Sequence, residues 1–137
     1  MLFFLHMPKT GGHSFKQAIF KRYGMDRVRF VNSLADWESF LAEYEPGRWD
    51  CVHGHMPCGL GEMLPEPAVY YVVLRNPLDR FVSAYYHIRT KTAHPAHAWL
   101  NSENITLRQF AQAGRDCDAQ VKRLLDYDYP TMQRRGG

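Results

Sequence analysis

The opening stretch, residues 1–24, reads MLFFLHMPKTGGHSFKQAIFKRYG and limits the fold more than any other part of the chain. Leu2 to Leu5 is a continuous apolar run of a length that suits a buried strand, and Pro8, Lys9, Thr10, Gly11 and Gly12 break it. A helix is expected from Ser14. Phe15, Ala18 and Ile19 recur at helical spacing, Lys16, Gln17, Lys21 and Arg22 fill the other face, and Gly24 supplies a stop. A strand, a glycine-bearing turn and a helix together make an anion site. The first helical N–H groups lack internal partners, the helix dipole favours negative charge, and glycines admit close approach. Lys9, Thr10 and Ser14 add a cation and two hydroxyls.

The Walker A spacing G-x-x-x-x-G-K-[ST] is not met, because Lys9 precedes the glycines. That excludes a nucleoside-triphosphate loop of the Walker type. On this stretch alone, a plain strand-to-helix turn whose glycines serve backbone geometry stays open, since α/β domains contain many.

With 137 residues, the chain 1–137 reads as one domain, and residues 127–137, with no apolar period, are expected to fray. The net charge of +3 fits a small anionic ligand or an acidic polymer. Without a basic stripe or an RNA-binding motif it gives no ground for a nucleic-acid partner. No apolar run approaches the ~18 residues of a membrane span, and no charged leader precedes the first strand, so a cytoplasmic protein with no span is expected. The odd count of Cys51, Cys58 and Cys117 points to free thiols.

Further along, residues 27–31 form a short β-rich run, and Ser33 with Asp36 three positions on opens a helix carrying Leu34, Trp37, Phe40, Leu41 and Tyr44 at helical spacing. Residues 49–53 read as another strand, and 54–67, rich in glycine and proline, as a long loop. Residues 68–74 hold an unbroken apolar run, expected of a central parallel strand covered on both faces. Asn76 caps the next helix, Pro77 suits its first position and Asp79 its first turn. Leu78, Phe81, Val82 and Tyr85 are expected on its apolar face, with Asn76, Arg80, Ser83 and His87 on the polar one. Residues 91–104 look irregular, Thr106 and Gln109 make a capping box, and 118–125 is a candidate helix.

Strands alternating with helices imply an α/β domain: a central parallel sheet flanked by helices, P-loop-like, with a short C-terminal part. Ligands of such sheets sit beyond the carboxyl ends of the strands, where the 8–12 turn, the 53–58 loop and Arg75 are expected. Arg75 and Ser83 could address a second phosphate, which suggests a nucleotide phosphorylated at two positions.

HMPKTGGHSF followed by VVLRNPLDRFVSAYYH resembles the paired cofactor-binding signature of the sulfotransferases, most closely the carbohydrate type, whose donor is 3′-phosphoadenosine 5′-phosphosulfate (PAPS). The resemblance implies that Pro8, Lys9, Thr10, Gly11, Gly12, His13 and Ser14 grip the 5′-phosphosulfate, and that Arg75 and Ser83 grip the 3′-phosphate. His13 stands where the family usually has Thr or Ser. The segment Val52-His53-Gly54-His55 is similar to the HGH segment of the uronyl 2-O-sulfotransferases, where a histidine is the base on the acceptor hydroxyl. A carbohydrate acceptor is therefore expected.

Sulfuryl transfer, like phosphoryl transfer, depends on positioning and charge stabilisation along an in-line path. Lys9 is assigned the leaving-group charge, His55 the base, and His53 the role of positioning partner or substitute base; no metal is required. Cys51, His53, His55 and Cys58 could also be read as zinc ligands, but their spacing matches no standard zinc module. His6 reads as structural, and His87, His94 and His97 as surface residues. The alternative function is a non-catalytic or degenerate binder of the bisphosphorylated nucleotide. A magnesium-dependent kinase is disfavoured by the position of Lys9.

Overall fold

The computed structural model describes residues 1–125, so the expected fraying of 127–137 lies outside the described residues. Four strands, β1 (Leu2–Leu5), β2 (Val28–Phe30), β3 (Cys51–Gly54) and β4 (Val69–Val72), form one sheet in the order β2-β3-β1-β4. Every pairing is parallel, with Leu5 opposite both Gly54 and Val72, and Phe30 opposite His53. Helices α1 (Gly12–Tyr23) and α2 (Leu34–Ala42) cover opposite faces.

Alternation along the strands decides which side chains each helix meets. Phe3, Leu5 and Val52 point to one face and pack with Trp37 and Phe40 of α2, while Phe4 and Cys51 point to the other and pack with Ile19 of α1. Phe3 and Phe40 are fully buried, each contributing on the order of 1.5–3 kcal/mol by leaving water. Ser33 caps α2 by accepting from the Asp36 N–H at 3.1 Å, and the Asp36 carboxylate accepts from the Asn32 N–H at 2.9 Å. That local pattern fixes where β2 ends and α2 begins.

The reading of residues 68–74 as the central strand is corrected: β1 and β3 are central, and β4 is an edge strand among the described residues. Val69 is 62% exposed and Tyr71 49% exposed, alternating with half-buried Tyr70 and Val72. Apolar runs report how much greasy surface a strand carries, whereas its place in the order depends on pairings with segments distant in sequence. The central β1, buried from Phe3 to Leu5, has only four residues with which to signal its position.

The described chain divides into two units, Met1–Leu74 with residues 120–125, and Arg75–Ala119. The second contains α3 (Pro77–Thr90), α4 (His97–Ser102) and α5 (Leu107–Gln112), packed about Tyr85, Ile88, Leu100 and Phe110. Asn76 caps α3 by accepting from the N–H groups of Leu78 and Asp79, and Thr106 and Gln109 close the expected capping box on α5. A further helix, α6, spans Ala119–Leu124.

Two further expectations change here. Residues 97–102, expected to be irregular, are helical, with Leu100 buried and His97 Nδ1 donating to the Ile88 carbonyl at 2.9 Å. Arg80, expected on the polar face of α3, is 3% exposed and donates to both the carboxylate and the carbonyl of Asp116 at 2.8 Å, while Leu78 is exposed. Helical spacing sorts both residues by polarity and misplaces both, since Arg80 shares its face with buried Ala84 and Ile88. It cannot show that Asp116 waits on the side to which Arg80 points.

Candidate functional site

The turn between β1 and α1 leaves the start of the helix without a side-chain cap. Gly11, the residue before α1, has φ 87° and offers no side-chain cap, and the first helical turn carries no acidic residue. The positive end of the helix is therefore not neutralised from within, while Lys21 and Arg22 complement its other end. Lys9 also adopts φ 70°, a left-handed conformation that costs a non-glycine residue about 1–3 kcal/mol and recurs at functional turns. Thr10 is buried and its hydroxyl donates to the Met7 carbonyl at 2.8 Å, so it braces the turn from inside. Gly11, His13 and Ser14 are exposed, and His13 lies 3.4 Å from the Gln17 amide.

Parallel register brings a second segment to the same sheet edge. His6 follows β1 and its N–H donates to the Gly54 carbonyl at 2.8 Å, which sets His6 beside His55. The glycine between His53 and His55 is required by packing, since a Cβ at Gly54 would lie 1.8 Å from the Val31 carbonyl oxygen where β2 ends. Asn32, the next residue, accepts from the His55 N–H through Oδ1 at 3.2 Å. The His55 ring is held by its own bond: Nδ1 lies 2.9 Å from the His6 carbonyl oxygen. A carbonyl only accepts, so Nδ1 carries the hydrogen and Nε2 keeps a lone pair.

The three imidazoles differ in setting. His6 and His55 stack with ring centroids 4.4 Å apart, and His6 lies 5.5 Å from His53. His53 is 4% exposed, stacks on Phe4 at 5.2 Å, meets Phe30 edge-on, and has no hydrogen-bond partner on either ring nitrogen among the described residues. Burial pushes His53 down to about 4, helped by neighbouring His6, His55 and Lys16, and pushes His6 down to about 4, helped by His55 and Arg123. His55 is lowered from the ordinary histidine value, mainly by burial, and the bond to His6 works against that shift. All three are thus neutral at physiological pH, the state in which an imidazole can accept a proton. A small recess lies beside His55 and is walled by Val31, Leu34, Trp37, Met56 and Leu60. Its apolar walls account for the desolvation of that ring.

Of the remaining expected residues, Arg75 is exposed and begins the second unit, and Ser83 is half-buried on α3. Cys51 and Cys58 are free thiols, as is Cys117, and burial pushes Cys51 up to about 11, which leaves it protonated. Among the described residues no three His, Cys, Asp or Glu side chains converge as a metal site, and no helix is long and apolar enough to cross a membrane.

The sequence matches one family model, described as the sulfotransferase family, over residues 1–132. The chain belongs to the sulfotransferase family. No curated protein and no solved structure matches it. The chemistry of the family is sulfuryl transfer, and this sulfotransferase carries the α/β architecture expected of it.

Sequence reasoning assigned His6 a structural place and did not single out Asn32. Both act on His55 through the backbone register of β1, β2 and β3. Parallel pairing of HMPK with HGH would have set His6 beside His55, but that register depends on a pairing 49 residues apart in sequence.

Proposed function

We propose that the chain transfers a sulfuryl group from PAPS to a hydroxyl of a carbohydrate acceptor, with His55 as general base. The observation that carries this reading is the His55 ring, held through Nδ1 on the His6 carbonyl with Nε2 left as acceptor. In the proposed reaction the acceptor oxygen forms a bond to sulfur as the sulfur–oxygen bond to the 5′-phosphate breaks. The acceptor proton passes to His55 Nε2, and 3′-phosphoadenosine 5′-phosphate leaves. Lys9 offsets the charge that develops on the leaving phosphate.

The 5′-phosphosulfate is assigned to the turn Pro8, Lys9, Thr10, Gly11, Gly12, His13 and Ser14, chiefly through backbone N–H groups at the start of α1. His53, buried against Phe4, serves as a positioning partner that keeps the base environment dry. Arg75 and Ser83 are assigned the 3′-phosphate on the RNPLDRFVSAYY motif, and the carbohydrate acceptor rests on the HGH segment. No step requires a metal.

The test is turnover with PAPS and a panel of uronic-acid-bearing and neutral oligosaccharides, using the chain and His55→Ala. Transfer that disappears in His55→Ala while the bisphosphate still binds supports the reading. Bisphosphate binding without turnover on any acceptor replaces it with a binding protein, and undiminished transfer in His55→Ala removes the base assignment.

A further inference from the structure

We propose that His6 is a positioning residue that locks the phosphate-binding turn and the base His55 into one arrangement. This rests on the reading of His55 as the base. Three contacts carry it, and they run in two directions. Toward β3, the His6 carbonyl accepts from His55 Nδ1 at 2.9 Å and the two rings stack at 4.4 Å with planes 24° apart. Toward α1, the His6 ring occupies the space in front of Gly12, where an added Cβ would lie 1.7 Å from Nε2 and 2.1 Å from Cδ2. Gly12 is the first residue of α1, so one imidazole is packed between the anion-binding helix end and the flat face of the base.

The carbonyl bond is a backbone contact and fixes the His55 tautomer whatever the side chain at position 6. The ring does the rest. Its flat face fills the gap beside His55, keeps water from it and prevents the imidazole from turning about its single hydrogen bond. The titratable and charged groups that face this pair are His53 from β3 and Arg123 from α6; Asn32 and the recess walls contribute no charge. With Arg123 on one side, a second cation at position 6 would oppose proton uptake by His55, and a flat neutral ring does not.

The test compares His6→Phe, which keeps a flat ring, with His6→Ala and His6→Leu, which do not, in the full chain. Folding is verified by far-UV circular dichroism, and His6→Leu stands in if His6→Ala does not fold. Two readouts are used: steady-state sulfuryl transfer, and NMR titration of the His55 ring protons. The expected result is a kcat within about threefold of the parent for His6→Phe, and a fall of about tenfold to a hundredfold for the other two with acceptor KM little changed. The His55 titration should move upward toward the ordinary histidine value in His6→Ala and His6→Leu and stay in place in His6→Phe. An unmoved titration in all three overturns the proposal, as does a His6→Phe enzyme as damaged as His6→Ala. If no protein transfers sulfate, the proposed reaction fails by itself, and the titration still decides whether His6 governs His55.

Discussion

The His55 ring donates through Nδ1 to the carbonyl of His6, 2.9 Å away, and that bond leaves Nε2 as the nitrogen that can take a proton. Because His55 also sits below the ordinary histidine value through burial, its neutral form persists at neutral pH. The rate of transfer should accordingly be flat above pH 7 and fall only as pH drops through a value under about 6.5. His55→Ala should lower kcat by about 10² to 10⁴ while the bisphosphate dissociation constant changes less than about threefold. A pH–rate profile and calorimetry on the same preparations check both statements.

Gly12 and Gly11 should respond differently to alanine. At Gly12 a Cβ meets the His6 ring at 1.7 Å, so Gly12→Ala should push that ring or the start of α1 aside, cost about 1–3 kcal/mol, and weaken donor binding at least about tenfold. At Gly11 the space is open and only φ 87° penalises a side chain, so Gly11→Ala should cost about 1 kcal/mol. Urea denaturation with bisphosphate titration separates the two.

These two glycines also show how far the sequence can be read. PKTGG announces a turn that opens a helix because the glycines sit in sequence beside the helix they open. The ring against Gly12 comes from His6, held in place by a strand pairing with residues almost fifty positions away. Local signals such as the Ser33 and Asn76 caps and the Thr106 capping box are legible for the same reason: donor and acceptor lie within three residues of each other. Edge or centre for β4, burial for Arg80 and the stacking of His6 on His55 are decided by distant partners, and apolar spacing carries no trace of them.

Arg80 should be a stability residue. Its guanidinium is buried, donates twice to Asp116, and has Nη1 without a partner among the described residues. Arg80→Ala leaves Asp116 without its cation and should destabilise by roughly 3 kcal/mol, whereas Arg80→Met, which fills the volume, should cost less. Chemical denaturation of the two variants tests the order.

Stability should depend on pH through the buried histidines. His6 and His53 titrate near 4 in the folded chain and near 6.5 when unfolded, so on acidification the unfolded chain takes up protons first. Their contribution is complete above pH 6.5, is lost as pH falls from 6.5 toward 4, and has a slope of up to about 1.4 kcal/mol per pH unit for each ring. His53→Phe, which matches the apolar surroundings of Phe4 and Phe30, should flatten that slope. Denaturation midpoints at pH 7.5, 6 and 5 measure it, and an unchanged slope in His53→Phe would show that His53 is not buried neutral.

The central claim is that this chain is a sulfotransferase whose β1–α1 turn receives a phosphoadenosine donor. Calorimetric titration with 3′-phosphoadenosine 5′-phosphate, against adenosine triphosphate with magnesium as control, tests it most directly. The account predicts binding of the bisphosphate at about micromolar strength or tighter, weakened at least about tenfold in both Lys9→Ala and Arg75→Ala, with little heat from the triphosphate. No binding of the bisphosphate, or equal binding of the triphosphate, would contradict it.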